Sequence, residues 1–296
     1  MAAQGKLIKN KMASVKNIRK ITKTMEMVSV AKMRRTVEQA VRSKYFTSEA
    51  YEMLAMIANR NIVKNHRLFK IPEKAKKELV VIVASSKGMC GGYNTNIARQ
   101  VRNFLSTKNI ENISTITVGK QADKIARRMQ IPIIASFAYF SENLSIQESL
   151  GLSRTVLSEF ETGNYQSVYF ITTEFIKAME YQVQTIPLLP ISLNLSKKYS
   201  ENVEQEIQKD TENYLFEPNV DQIIDVVVPH LINAIVFQIL LDAFASEHSS
   251  RMVAMKNATD NAGVLLDDLM LTFNQVRQAG ITQELSEIIA GASALH

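Results

Sequence analysis

Residues 255–279 (MKNATDNAGVLLDDLMLTFNQVRQA) are the stretch whose reading decides the fold. Met255, Ala258, Ala262, Leu265, Leu269, Thr272, Val276 and Ala279 follow alternating steps of three and four, and all but Thr272 are apolar. A repeat every 3.5 residues is the seam of a left-handed coiled coil. The alanines in it permit close approach of a partner helix. An amphipathic helix lying on a globule would end after a few turns. Here the last 67 residues contain no proline and are interrupted only by Gly263, Gly280 and Gly291.

The opposite end of the chain has the same freedom. Between Gly5 and Pro72 lie 66 residues with neither glycine nor proline, and Ile8, Met12, Val15, Ile18, Ile21, Met25 and Val28 recur there at the spacing of one helical face. A helix of that length would reach about 100 Å, whereas a compact chain of this size has a radius of gyration of about 19 Å. The sequence therefore predicts two long terminal helices that project as a pair. Pro229 is expected to kink or restart the second one.

Between them the pattern changes. Residues 79–84 (LVVIVA), 113–118, 131–140, 167–173 and 183–189 read as strands, and residues 94–105, 120–129 and 146–160 as helices. Alternation with short connections predicts a Rossmann-like α/β domain with a mainly parallel sheet and helices on its faces. The expected domain organisation is an N-terminal coiled-coil helix over 1–70, an α/β domain over 75–195, an acidic connection over 196–217 and a C-terminal coiled-coil helix over 218–296.

The chain has 296 residues, of which 46% are hydrophobic, enough for a core. No secretory signal is legible, and no apolar run is read as long enough for a membrane span, so neither secretion nor direct membrane insertion is expected. A single cysteine, Cys90, and four scattered histidines offer no disulfide and no zinc spacing. The formal charge of +6 hides an asymmetry: residues 1–80 carry +13, residues 81–200 carry +4 and residues 201–296 carry −11. Either the two ends pair with each other or the basic end serves a polyanion. Residues 6–44 hold 12 Lys/Arg against Glu26 and Glu38, which makes nucleic-acid binding a reading to weigh. A binding arm, however, has no need of a seven-member apolar stripe, and an acidic, seam-bearing helix stands ready at the other terminus.

Residues 85–94 (SSKGMCGGYN) follow a strand and precede a helix, where phosphate loops sit. Neither the Walker pattern nor the dinucleotide fingerprint is present, so Gly88, Gly91 and Gly92 are read as a tight strand-to-helix turn rather than a nucleotide cradle. Cys90 has no histidine near it in sequence to activate it. Asp267 and Asp268 are adjacent on a helix and point in different directions. No catalytic residue, metal ligand or cofactor site is assigned.

These residues resemble the gamma subunit of the F-type ATP synthase. Residues 13–35 (ASVKNIRKITKTMEMVSVAKMRR) are similar to that family's opening helix, SSKGMCGGYN to its first strand-to-helix turn, and residues 281–293 (ITQELSEIIAGAS) to its C-terminal signature. Residues from about 100 to 240 match in pattern only. The chain departs from the family in having Ile18-Arg19 where Thr-Gln is common, Ser86 in place of an Asp, and Gly280 in place of Ala or Ser. A glycine inside a helix costs about 1 kcal/mol relative to alanine, so the helix is expected to be softer just after Arg277 and Gln278.

The resemblance implies an antiparallel coiled coil running up the cavity of a ring of catalytic and noncatalytic head subunits, with the α/β domain as a foot on the membrane rotor ring. It implies a noncatalytic shaft that couples ion-driven rotation to ATP synthesis or hydrolysis in the head, with an epsilon subunit as a further partner. Met25, Arg277 and Gln278 are the residues it implies at the contact with the head. The location it implies is peripheral, on the cytoplasmic face of a bacterial inner membrane. The readings left standing beside it are a nucleic-acid-binding coiled-coil protein and a nucleotide-binding α/β enzyme.

Overall fold

The computed structural model describes residues 2–58, 66–72, 75–141, 144–191 and 220–293. The expected acidic connection over 196–217 lies outside the described residues. The chain divides into two units, one made of residues 1–29 with 251–296 and the other of residues 30–250. Two helices run through both: α1, Ala2–Ala58, and α5, Val220–Ser293.

The larger unit is built on one five-stranded sheet. The strands are β1 (Lys77–Val83), β2 (Ile113–Val118), β3 (Ile133–Phe137), β4 (Tyr165–Lys177) and β5 (Glu180–Leu189), in the order β3-β2-β1-β4-β5. Three pairings are parallel, with Val80 opposite Thr115 and Val81 opposite Phe170. Only β4 and β5 run antiparallel, so the mainly parallel sheet read from the alternation is present. Between the strands stand α2 (Tyr93–Leu105), α3 (Lys120–Arg128) and α4 (Ile146–Glu161).

The continuous apolar run of β1 is explained by burial on both faces. Leu79, Val81 and Val83 face a core shared with α1, α4 and α5, while Val80 and Ile82 face a second core with Ile97, Val101 and Ala126 of α2 and α3. Alternate residues of one strand thus feed different cores, as the period of two requires. The start of α4 is fixed by a capping box in which Ser145 and Glu148 satisfy each other's backbone amides.

Two expectations are corrected. Helix α5 is continuous past Pro229, so the restart that was one branch of the expectation does not occur. Ile224, Val228, Ile232 and Ile235 are all fully buried there, and tertiary packing holds the helix across the lost hydrogen bond. Helix α5 also contains an 18-residue window of mean hydropathy 2.0, long and apolar enough by composition to cross a membrane, although no such stretch was read in the sequence. The window is 67% buried within the protein, as befits the central helix of the core.

Helix α1 is polar on part of its buried face, and those groups are satisfied locally. The Ser29, Thr36 and Thr47 hydroxyls donate to the carbonyls of Met25, Lys32 and Ser43 at 2.7, 3.0 and 3.0 Å. Back-bonding of this kind lets a hydroxyl sit in an interface without an unpaired donor.

Candidate functional site

In the smaller unit the ends of α1 and α5 pair antiparallel. Thr259 Oγ1 donates to Thr22 Oγ1 at 2.8 Å, and the Arg19 guanidinium packs 3.6 Å from where a side chain on Gly263 would begin. Farther along, Gly5, Lys6 and Lys9 lie against Phe273, Val276 and Gly280. Numbers rise on one helix as they fall on the other.

The seam of α5 is not the one read from the sequence. Met255, Thr259 and Ala262 are buried, and Leu266, Leu269, Phe273, Val276 and Gly280 are half-buried. Leu265, Thr272 and Ala279, which the periodicity of the sequence assigns to the seam, are exposed, and Ala258 is only half-buried. Both sets share Met255, Ala262, Leu269 and Val276 and have the same 3.5-residue period, so periodicity cannot separate them. The separation comes from the partner, because Thr22 offers Thr259 a hydroxyl that Ala258 could not use. Helix α1 shows the same shift. Ile8 and Thr22 are buried and Met12 and Val15 half-buried, but Ile18, Ile21 and Val28 of the expected stripe are exposed.

That shift leaves apolar side chains facing outward. Ile18 and Ile21 on α1 and Val264 and Leu271 on α5 are between 50% and 64% exposed. Of the residues implied at the head contact, Met25 is half-buried, and its carbonyl accepts from the Ser29 hydroxyl. Arg277 and Gln278 are exposed. Arg277 rims a groove of about 450 Å³ that opens where Gly5 and Gly280, both without side chains, leave the seam unfilled over Phe273 and Val276. Gly280, singled out in the sequence for flexibility, thus also shapes the surface. Ile18 and Ile21 were expected on the packed stripe of α1 and face outward instead, whereas no sequence signal singled out Val264 and Leu271.

The strand-to-helix turn belongs to the larger unit and is not assembled with those three residues. Its glycines differ in what they do. Gly91 takes a left-handed backbone (φ 57°) together with Met89 (φ 60°), Gly92 caps α2, and Gly88 has open space around its Cα. The turn is tied down by its own side chains. Asn94 accepts from the Ser85 backbone amide at 3.2 Å and donates to Ser85 Oγ at 2.8 Å and Cys90 Sγ at 3.1 Å. The Cys90 carbonyl accepts from Ser250 Oγ at 2.7 Å, and Cys90 itself is buried. Its neighbour Tyr93 donates to the Ala243 carbonyl at 3.0 Å and meets Thr173 Oγ1 at 3.1 Å. Burial, reinforced by Glu247, pushes the Tyr93 phenol well above its ordinary value, so it stays a donor. These bonds fasten the turn and α5 to the sheet, the work of a structural corner. Among the described residues no three His, Cys, Asp or Glu side chains converge as a metal site would need.

The comparisons with known proteins agree with this geometry. A family profile described as ATP synthase matches residues 4–295. The chain is 34% identical over 294 residues to the ATP synthase gamma chain of Variovorax paradoxus (strain S110), covering 99% of this chain and 98% of that protein. It is likewise 34% identical to the gamma chain of Nitrosococcus oceani, covering 99% of this chain and all of that one. Its fold is similar to a chain of the Euglena gracilis mitochondrial ATP synthase in a structure of the OSCP, F1 and c-ring, with a TM-score of 0.70 at 21% identity, covering 100% of this chain and 96% of that chain. A chain of the rotor of the same complex in another rotational state gives a TM-score of 0.64 at 20% identity, over 95% of this chain. On a family profile spanning nearly the whole chain and relatives a third identical from end to end, this chain belongs to the ATP synthase gamma-chain family.

Proposed function

We propose that this chain is the noncatalytic central shaft of an F-type ATP synthase, turning inside the catalytic head as the ion-driven membrane ring turns. The observation that carries the reading is the apolar surface left outside the paired helices. Side chains such as Ile18, Ile21, Val264 and Leu271 are uncovered and take no part in the seam. Exposed apolar groups in that number on a two-helix element mark a surface that works against another protein. A surrounding ring of head subunits would cover it, and the asymmetry of the two unlike helices would present a different face to each catalytic subunit in turn. Met25, Arg277 and Gln278 are the proposed contacts with the head. Isolated polar contacts suit a surface that must release at every step, and the groove beside Arg277 receives a different subunit after each one.

As a gamma chain it works within a membrane-bound complex, and the proposed side is the cytoplasmic face of a bacterial inner membrane. The α/β unit is the proposed foot on the rotor ring, with the epsilon subunit beside it. The basic helix engaged along α5 leaves little support for a nucleic-acid arm, and the self-bonded turn at 85–94 little for a nucleotide enzyme. Native purification of the tagged chain from its own cells tests the proposal. Both head subunits are expected in molar excess over it, and recovery of the chain with nucleic acid and without head subunits would overturn it.

A further inference from the structure

A small cavity lies in the larger unit where α1, β4, β5 and α5 meet. It measures about 10 Å³, and its polar lining is Tyr51, Thr172, Thr173, Gln184, Gln238 and Asp242. A space of that size admits one water-sized occupant. Thr172 Oγ1, Gln184 Oε1 and Gln238 Oε1 are all buried there without a hydrogen-bond partner. Buried polar atoms are nearly always paired, so three orphans around one cavity point to something that fills it. The orientation of Gln238 is set by its other end, since Nε2 donates to Asp242 Oδ1 at 3.3 Å and leaves Oε1 without a partner. The cluster is therefore rich in acceptors, with a carboxylate beside amide and hydroxyl oxygens.

We propose that this cavity binds one monovalent hard cation, of the Na⁺ and K⁺ class, through the side-chain oxygens of Asp242, Thr172, Gln184 and Gln238. Oxygen donors select hard cations, and neutral carbonyl oxygens replace the hydration shell of an alkali ion readily. A divalent ion usually requires more than one carboxylate at this density of ligands, and only Asp242 lines the cavity. The charged groups that act on Asp242 from neighbouring elements are Glu174 of β4 and Lys44 of α1, of opposite sign. Tyr51 of α1 and, from β5, Gln184 and Ile186 complete that side of the lining.

Thermal unfolding of the full chain at about pH 8, where Asp242 is ionised, in choline chloride, NaCl or KCl at one ionic strength tests this. A saturable rise of the midpoint with Na⁺ or K⁺ over choline is expected, lost in Asp242→Asn and moved to higher cation concentration in Thr172→Val. Crystals grown with Tl⁺ should give an anomalous peak between Asp242 and Gln238. Equal midpoints in the three salts, a salt response that survives Asp242→Asn, or an ordered water in place of the anomalous peak would each overturn the proposal.

Discussion

Gly119, between β2 and α3, has φ +87°, and a Cβ built on it would lie 2.1 Å from the Ala84 carbonyl oxygen. Its amide donates to Phe137 O at 2.9 Å, so the backbone is held there from both sides. Gly119→Ala combines an unfavourable backbone with a clash against main chain, and is expected to destabilise by about 2 kcal/mol or more. A urea titration reads this as a lower midpoint, and a midpoint equal to wild type would contradict the geometry. Nothing in the sequence separated Gly119 from the glycines of the 85–94 turn, because only the approach of β1 to β2 makes it obligatory. Tyr93 is a second such residue. Removing its hydroxyl by Tyr93→Phe leaves the Ala243 carbonyl and Thr173 short of a partner in a buried site, at a cost of about 1–3 kcal/mol. Loss of that much unfolding free energy, with the far-ultraviolet spectrum of the folded state unchanged, is the expected result.

The long elements were legible because they depend on what a run of residues lacks. With neither glycine nor proline between Gly5 and Pro72, α1 was readable from composition, and a strand buried on both faces was readable from LVVIVA. The seam was legible in its period and not in its register, because 255-258-262 and 255-259-262 fit the same repeat until a partner helix is in place. That difference gives a discriminating pair of variants. Leu265 is 48% exposed whereas Leu266 is half-buried in the pairing. Leu265→Asp should leave the helicity and thermal midpoint of the chain near wild type, within about 0.5 kcal/mol. Leu266→Asp places a charge in the seam and should cost several times as much. Circular dichroism melts check both, and the reverse order would restore the register first read. The continuity of α5 through Pro229 was illegible for a related reason. Propensity speaks against it, and only the buried row of Ile224, Val228, Ile232 and Ile235 outweighs that.

For the molecule as a whole, the central claim is that this chain works by turning inside its partners and not by holding them in place. The two ideas differ in what a covalent tether does. Leu271 is 64% exposed on α5 and faces away from the pairing, so it suits a cross-link to a surrounding subunit without disturbing the seam. Cys90 is buried and does not compete for the bond. With Leu271→Cys joined by a disulfide to a cysteine facing it on a catalytic subunit, the assembled complex should still bind nucleotide but lose multisite ATP turnover. Reduction should restore the rate, since the bond blocks relative motion and removes no catalytic group. A disulfide between α1 and α5 within the paired segment should be nearly harmless, because those helices turn together. Loss of turnover on oxidation and its return on reduction is the predicted result. Full-rate turnover, with the cross-link shown intact on a nonreducing gel, would contradict the rotary account.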